Sequence, residues 1–181
     1  MEIVLTALPG VLLIKPRVYS DERGRFFESY NQREFDRLTG SQSRFVQDNI
    51  SRSRRGVLRG LHFQNPQAQG KLVRALTGEI FDVVVDIRRS ASTFGKTVAV
   101  RLSGDDPSML WVPPGFAHGF LTLSETADVL YKTTDFYAPA HEHCIVWNDP
   151  QLAIAWPLEG APLLSPKDRA GKPLGDSAVF A

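Results

Sequence analysis

His62 lies in the stretch "RGLHFQ", with Arg59 three positions before it and Lys71 nine positions after; Arg74 follows in "GKLVR". An imidazole with its ordinary pKa of about 6.5 takes and returns a proton at neutral pH. A lysine close by stabilises negative charge developing on an oxygen. A tyrosine, such as Tyr131, donates a proton from another direction. Base, anion stabiliser and acid around one cavity are what proton abstraction next to a carbonyl requires. The competing reading is a core histidine whose ring has found a hydrogen bond. Residue types alone leave both open.

Histidines also invite metals. The chain has four: His62, His118, His141 and His143. "HEH" at 141–143 is an H-x-H pair whose rings would leave a strand on the same side, but a metal site needs further ligands converging there. The pair follows the turn-like "YAPA", so a polar strand entrance is the plainer reading. The stretch "WVPPGFAHGF", residues 111–120, makes a tight turn into a strand with a histidine at Pro-x-Gly-x-x-His spacing. It resembles the second motif of the cupin barrels. The first cupin motif would supply a second histidine two positions after His62. Here the chain reads His62, Phe63, Gln64, so the ligand set is broken.

The elements that must position these groups are mostly strands. "VLLI", "RFFESY", "FVQDNIS", "VLRGLHFQ", "KLVRALTG", "EIFDVVVDI", "KTVAVRL", "SMLWVPPG", "HGFLTLS", "VLYKTTDFY" and "HCIVW" are rich in β-branched and aromatic residues and are punctuated by Gly, Pro, Asp or Ser. One short helix is expected in "NQREFDRLTG", with Phe35 and Leu38 on one face and Gly40 at its stop. Many short strands and few helices indicate an all-β sandwich or barrel. The Pro- and Gly-rich tail "PLLSPKDRAGKPLGDSAVFA" reads as coil.

Alternation along strands assigns faces. Phe81, Val83, Val85 and Ile87 form an apolar face, with Asp82 and Asp86 opposite, either lining a cavity or solvated. Tyr131, Thr133, Asp135 and Tyr137 share a face, and so do Gln47 and Asn49, with Asp48 on the other side. An interior lined by Tyr, Gln and Asn is too polar for a plain core and points to a ligand cavity. Strict alternation separates Arg59 from His62, unless Gly60 between them hosts a bulge.

The chain has 181 residues, 43% hydrophobic and 23% charged, with a net charge of +1. That fits one domain, residues 1–181, with no global pull toward nucleic acid or a membrane surface. The single cysteine, Cys144, cannot form an internal disulfide, which suits a reducing compartment, and its run "CIVW" predicts a buried, inert thiol. The N-terminal stretch has no basic leader, and no segment reaches the roughly 20 apolar residues of a membrane span. The expectation is a soluble cytoplasmic protein.

Over nearly the whole chain, in order, "DERGRFFESYN", "FVQDNISRSRRGVLRGLHFQ", "QGKLVRALTGEIFDVVVDIR", "STFGK", "WVPPGFAHGF", "YKTTDFYAP", "IVWNDP" and "LLSPKDRAG" resemble the dTDP-4-dehydrorhamnose 3,5-epimerases. The resemblance implies a cupin-type jelly-roll β-barrel with one or two short helices and a coil-rich tail. It implies epimerisation at C3 and C5 of dTDP-4-dehydro-6-deoxy-D-glucose, giving dTDP-4-dehydro-L-rhamnose, with no metal and no organic cofactor.

It also implies roles. His62 would be the base, Asp168 in "SPKDR" its paired carboxylate, Tyr131 the acid, and Lys71 the group polarising the C4 carbonyl. Arg59 and Arg23 would hold the diphosphate. Gln47 and Asn49, with Asp48 between them, would serve the nucleotide, and Phe26 and Tyr137 would stack on thymine. Glu28, His118, Glu142 and Lys167 match further substrate contacts. A homodimer is implied, with the strand in "DERGRFFESYN" exchanged so that two subunits share each site. Three rivals remain: a relative epimerising only C3 or only C5, a metal-dependent cupin enzyme using His118 with "HEH", and a nucleotide-sugar binding module.

Overall fold

The computed structural model describes residues 1–181. Two antiparallel sheets face each other. The first has six strands, in the order β1 (Glu2–Leu5), β2 (Leu12–Lys15), β10 (Met109–Val112), β7 (Lys71–Thr77), β12 (Thr126–Thr133) and β5 (Gln47–Arg54). The second has five, in the order β13 (Glu142–Cys144), β6 (Leu58–Gln64), β11 (Phe116–Thr122), β8 (Glu79–Asp86) and β9 (Thr97–Ser103). A separate hairpin pairs β3 (Val18–Asp21) with β4 (Gly24–Phe27). Sequence neighbours are often not sheet neighbours, as a jelly roll requires. The sheets form a jelly-roll sandwich with free edges, in the all-β, cupin-type class expected.

Alternation explains the layers. Val73, Ala75, Ile80, Val84, Leu110, Phe120 and Val129 meet between the sheets. The opposite face of β8, with Phe81, Val83, Val85 and Ile87, packs under the C-terminal segment through Leu152, Trp156, Leu174 and Phe180. That segment is tied to the sandwich by bridges Val57–Leu163, Ile145–Lys172 and Arg88–Phe180. Burying an apolar side chain of this size contributes about 1.5–3 kcal/mol, so both faces of the five-stranded sheet are covered.

The expected helix is α1 (Gln32–Thr39). Asn31 caps its start by accepting from the Glu34 amide, and Gly40 ends it at φ 65. Only a residue without Cβ adopts that conformation freely. Phe35 is buried and packs edge-on against Trp111 at 5.0 Å, securing the helix to the outer face of the six-stranded sheet. The tail departs from plain coil at α2 (Pro166–Arg169), where Ser165 accepts from the Asp168 amide. Strands β1 and β3 were not expected from sequence. All four residues of β3 are exposed, so no burial pattern marks it. No helix is long and apolar enough to cross a membrane.

Candidate active site

A cavity of about 330 Å³ opens between the sheets, lined mainly by polar groups. From the six-stranded sheet come Gln47, Asn49 and Ser51 of β5, Lys71 of β7 and Tyr131 of β12; from the five-stranded sheet come Arg59 and His62 of β6, His118 of β11 and Glu142 of β13. Lys167 of α2 and Tyr137 complete the rim. The polar face of β5 looks inward, as its alternation predicted.

The bulge at Gly60 is present. His118 stands opposite His62 and Phe120 opposite Arg59, so two steps on β11 span three on β6. The extra residue returns Arg59 and His62 to the same face. Gly60 has φ +118, and a Cβ there would lie 2.6 Å from the Gly119 Cα. Only glycine fits both the conformation and the space.

His62 Nε2 lies 2.6 Å from Asp168 Oδ1. Asp168 also accepts from the Gly60 amide at 3.1 Å and from the Ser165 hydroxyl at 2.6 Å. Burial opposes its charge, but His62 and Ser165 win and hold the carboxyl at about 2. A carboxylate can only accept, so Nε2 is the donor and the lone pair sits on Nδ1. Burial lowers the His62 pKa despite the pull of Asp168, favouring the neutral ring that a base requires. Lys71 is buried and its Nζ donates to the His62 carbonyl at 3.2 Å. Burial brings this amine down to about 8. Tyr131 faces the cavity from the other sheet, its hydroxyl pKa raised by burial, so it stays protonated at neutral pH.

Glu142 links the rim, accepting from Lys167 at 2.7 Å and from the Tyr137 hydroxyl at 2.8 Å. Asp82, neither solvated nor free, is wholly buried and bonded by both oxygens to His118 Nε2 at 2.9 Å. Asp86 is likewise buried and grips Arg88 at 2.6 Å, away from the cavity.

Some expected contacts are not brought together within one chain. Asp48 lies on the outer face of β5, paired with Lys132 at 2.7 Å. Asp135 and Thr133 do not line the cavity, because β12 ends at Thr133, whose hydroxyl turns to the Asp135 carbonyl. Arg23, Phe26 and Glu28 lie on or just beyond the β3–β4 hairpin. There Arg23 pairs only with Asp21, Glu28 accepts from Asn31, and Phe26 is 71% exposed.

The metal rival does not find its ligands. His141 ends a short 3₁₀ turn and bonds Gln67, His143 donates to the Asn65 carbonyl, and His118 is held by Asp82. Phe63 and Gln64 occupy the positions where a cupin ligand set continues, so these residues do not fit a cupin metal. Cys144 corrects another expectation. It is half-buried rather than buried, and stands beside the base dyad, 4.0 Å from Asp168 Oδ1. Sequence reading also left Ser165 unassigned, although Ser-x-x-Asp is a helix-start signature.

Known proteins resemble this chain in sequence and in fold. Residues 5–176 match the family model described as dTDP-4-dehydrorhamnose 3,5-epimerase. The dTDP-4-dehydrorhamnose 3,5-epimerase of Pseudomonas aeruginosa is 61% identical over 180 residues, covering 99% of both chains. The crystal structure of a dTDP-6-deoxy-D-glucose-3,5-epimerase from Legionella pneumophila in complex with dTDP-4-keto-L-rhamnose superposes with a TM-score of 0.94 at 53% identity. It covers 96% of this chain and 93% of that one. A 3'-monoepimerase from Streptomyces bikiniensis in complex with dTDP-quinovose is further off, at 34% identity and a TM-score of 0.89, covering 94% and 86%. With cupin-type fold, cavity and full-length similarity agreeing, the chain belongs to the dTDP-4-dehydrorhamnose 3,5-epimerase family.

Proposed function

We propose that this protein epimerises C3 and C5 of dTDP-4-dehydro-6-deoxy-D-glucose, giving dTDP-4-dehydro-L-rhamnose, without a metal or organic cofactor. The observation that carries the reading is His62 on one sheet, paired with Asp168 of α2, facing Tyr131 on the other sheet, with the buried Lys71 amine at the same cavity. The 4-keto group acidifies the hydrogens on both neighbouring carbons. His62 Nδ1 removes one of them, and the electron pair moves into the C4–oxygen bond as an enolate. The Lys71 ammonium stabilises that oxygen. Asp168 keeps the ring oriented and stabilises the imidazolium. Tyr131 then delivers its proton to the opposite face of the carbon, inverting it. His62 gives up its proton to water and Tyr131 regains one, so the site is reset for the second carbon.

Arg59 and Lys167 supply cationic donors for the diphosphate end, and Gln47 and Asn49 supply amides for the base. Residues 1–181 act as a single domain. We place the enzyme in the cytoplasm, where a lone unpaired cysteine is at home. Two copies share each site: the β3–β4 hairpin carries Arg23 and Phe26 outside its own cavity, and strand exchange brings them to a neighbour's. That arrangement also gives the exposed aromatic ring of Phe26 a partner surface.

The direct test is turnover in heavy water followed by NMR. Deuterium enters at both C3 and C5. Label at one carbon alone would mean a single-site epimerase, and label at neither a binding module. The Tyr131→Phe variant separates the two proton transfers. His62 still removes and returns a proton on one face, so exchange falls by less than about tenfold, while inversion falls by about 10²–10⁴-fold. Equal losses would give Tyr131 a binding role instead.

Lys71 sets an alkaline limit. Its folded pKa, about 8, lies below the ordinary lysine value. The ammonium is therefore present below that pH and lost as pH rises through it. The quotient kcat/KM, which reports the free enzyme, declines above pH 8 by about tenfold per unit. A profile flat well beyond that point would remove Lys71 as the enolate's cation.

A further inference from the structure

The base dyad has a third neighbour that the reaction does not use. Cys144 stands directly opposite His62 in the β13–β6 pairing, so both side chains leave the same face of the sheet. A His62 ring nitrogen, the Cys144 sulfur and an Asp168 oxygen all lie within 4.8 Å of one another, and Nε2 is the nitrogen that already faces Asp168. Ligands at about 2.0–2.3 Å from a tetrahedral ion sit roughly 3.3–3.8 Å apart. His62 Nε2 and Asp168 Oδ1, hydrogen-bonded at 2.6 Å, must part by about 1 Å to admit the ion, which a shift of the His62 ring supplies, while the Cys144 sulfur, 4.0 Å from that oxygen, swings in slightly. Asp168 need not move, since the Gly60 amide and Ser165 hydroxyl anchor it.

We propose that His62, Cys144 and Asp168 form an inhibitory site for a thiophilic divalent cation of the zinc and cadmium class. Imidazole and thiolate select such ions over magnesium. Thiolate and carboxylate together carry two negative charges, which neutralise the ion, so the half-buried position costs little. Binding releases one proton, from the Cys144 thiol. The imidazole proton on Nε2 moves to Nδ1 as Nε2 takes the metal. No lone pair then remains on the ring, and the base is silenced. Burial and the nearby Asp168 hold the thiol up at about 12. The metal must therefore displace a proton, and affinity rises about tenfold per pH unit across the neutral range. The inhibition rests on the role proposed for His62; the binding does not.

The test uses the full-length protein after chelation and buffer exchange. Chelation leaves turnover intact. Cadmium titration then gives one ion per chain, an ultraviolet cadmium–thiolate band and loss of activity that chelator reverses; magnesium gives none of these. Cys144→Ser and Cys144→Ala keep basal turnover within about twofold, lose the band, and need at least about tenfold more cadmium for half-inhibition. Absence of the band at stoichiometric cadmium, or unchanged inhibition in both variants, would overturn the site. A stoichiometric band without inhibition would overturn the silencing alone and place the fault in His62 as base. Loss of turnover on chelation would make the metal an activator and overturn the inhibitory role.

Discussion

His62→Asn abolishes deuterium exchange at C3 and C5 together, each by about 10²–10⁴-fold, with thymidine diphosphate binding within about tenfold of the parent. One ring serves both carbons because the cavity offers no equivalent second base. His118, the other histidine there, has Nε2 committed to both oxygens of Asp82, and Lys71 is charged below about 8. Asparagine is the informative replacement. Its short amide ends about where Nδ1 stood and does not reach the place of Nε2, but the Gly60 amide and the Ser165 hydroxyl still donate to Asp168, so the buried carboxylate keeps partners. NMR in heavy water reads each carbon separately. Normal exchange at either carbon in this variant would show a second base and overturn the assignment.

Mixing two dead variants restores activity if the hairpin acts across subunits. Arg23→Ala and His62→Ala are each prepared, shown to be nearly inactive, then unfolded and refolded together. In a mixed dimer the Arg23→Ala subunit keeps its own His62 and receives an intact Arg23 from its partner. That site is whole, while the other carries both defects. Random pairing makes about half the dimers mixed, so about a quarter of wild-type activity returns. The structure motivates this strongly. Arg23's side chain is 85% exposed and its only ion pair is with Asp21, two residues away. If the hairpin serves its own cavity, every site keeps one defect and the mixture stays inactive. No recovery after verified mixed-dimer formation would sink the shared site.

Much of the fold was legible in particular residues. The alternation of Phe81, Val83, Val85 and Ile87 was a reliable guide because one face of β8 is fully covered. Gly40 marks the end of α1 because its left-handed conformation turns its amide back onto the Asp36 carbonyl. The failures were equally specific. β3 owes its existence to pairing with β4 and buries nothing, so hydropathy cannot find it. α2 is four residues long, below the length at which periodicity speaks.

The site divides the same way. Composition and spacing by themselves determined the inventory: a histidine, a lysine and a tyrosine suited to carbanion chemistry, an incomplete cupin ligand set, and a polar inward face on β5. The glycine between Arg59 and His62 was the only local hint of a bulge. Tertiary structure alone decided which groups meet. His62 and Asp168 are 106 positions apart in the chain, Asp82 and His118 36, and Cys144 reaches the dyad only through the pairing of β13 with β6. Such contacts carry no local signal. Each is set by packing two sheets and a wrapped tail around shared apolar faces, and any one of them is compatible with many local sequences.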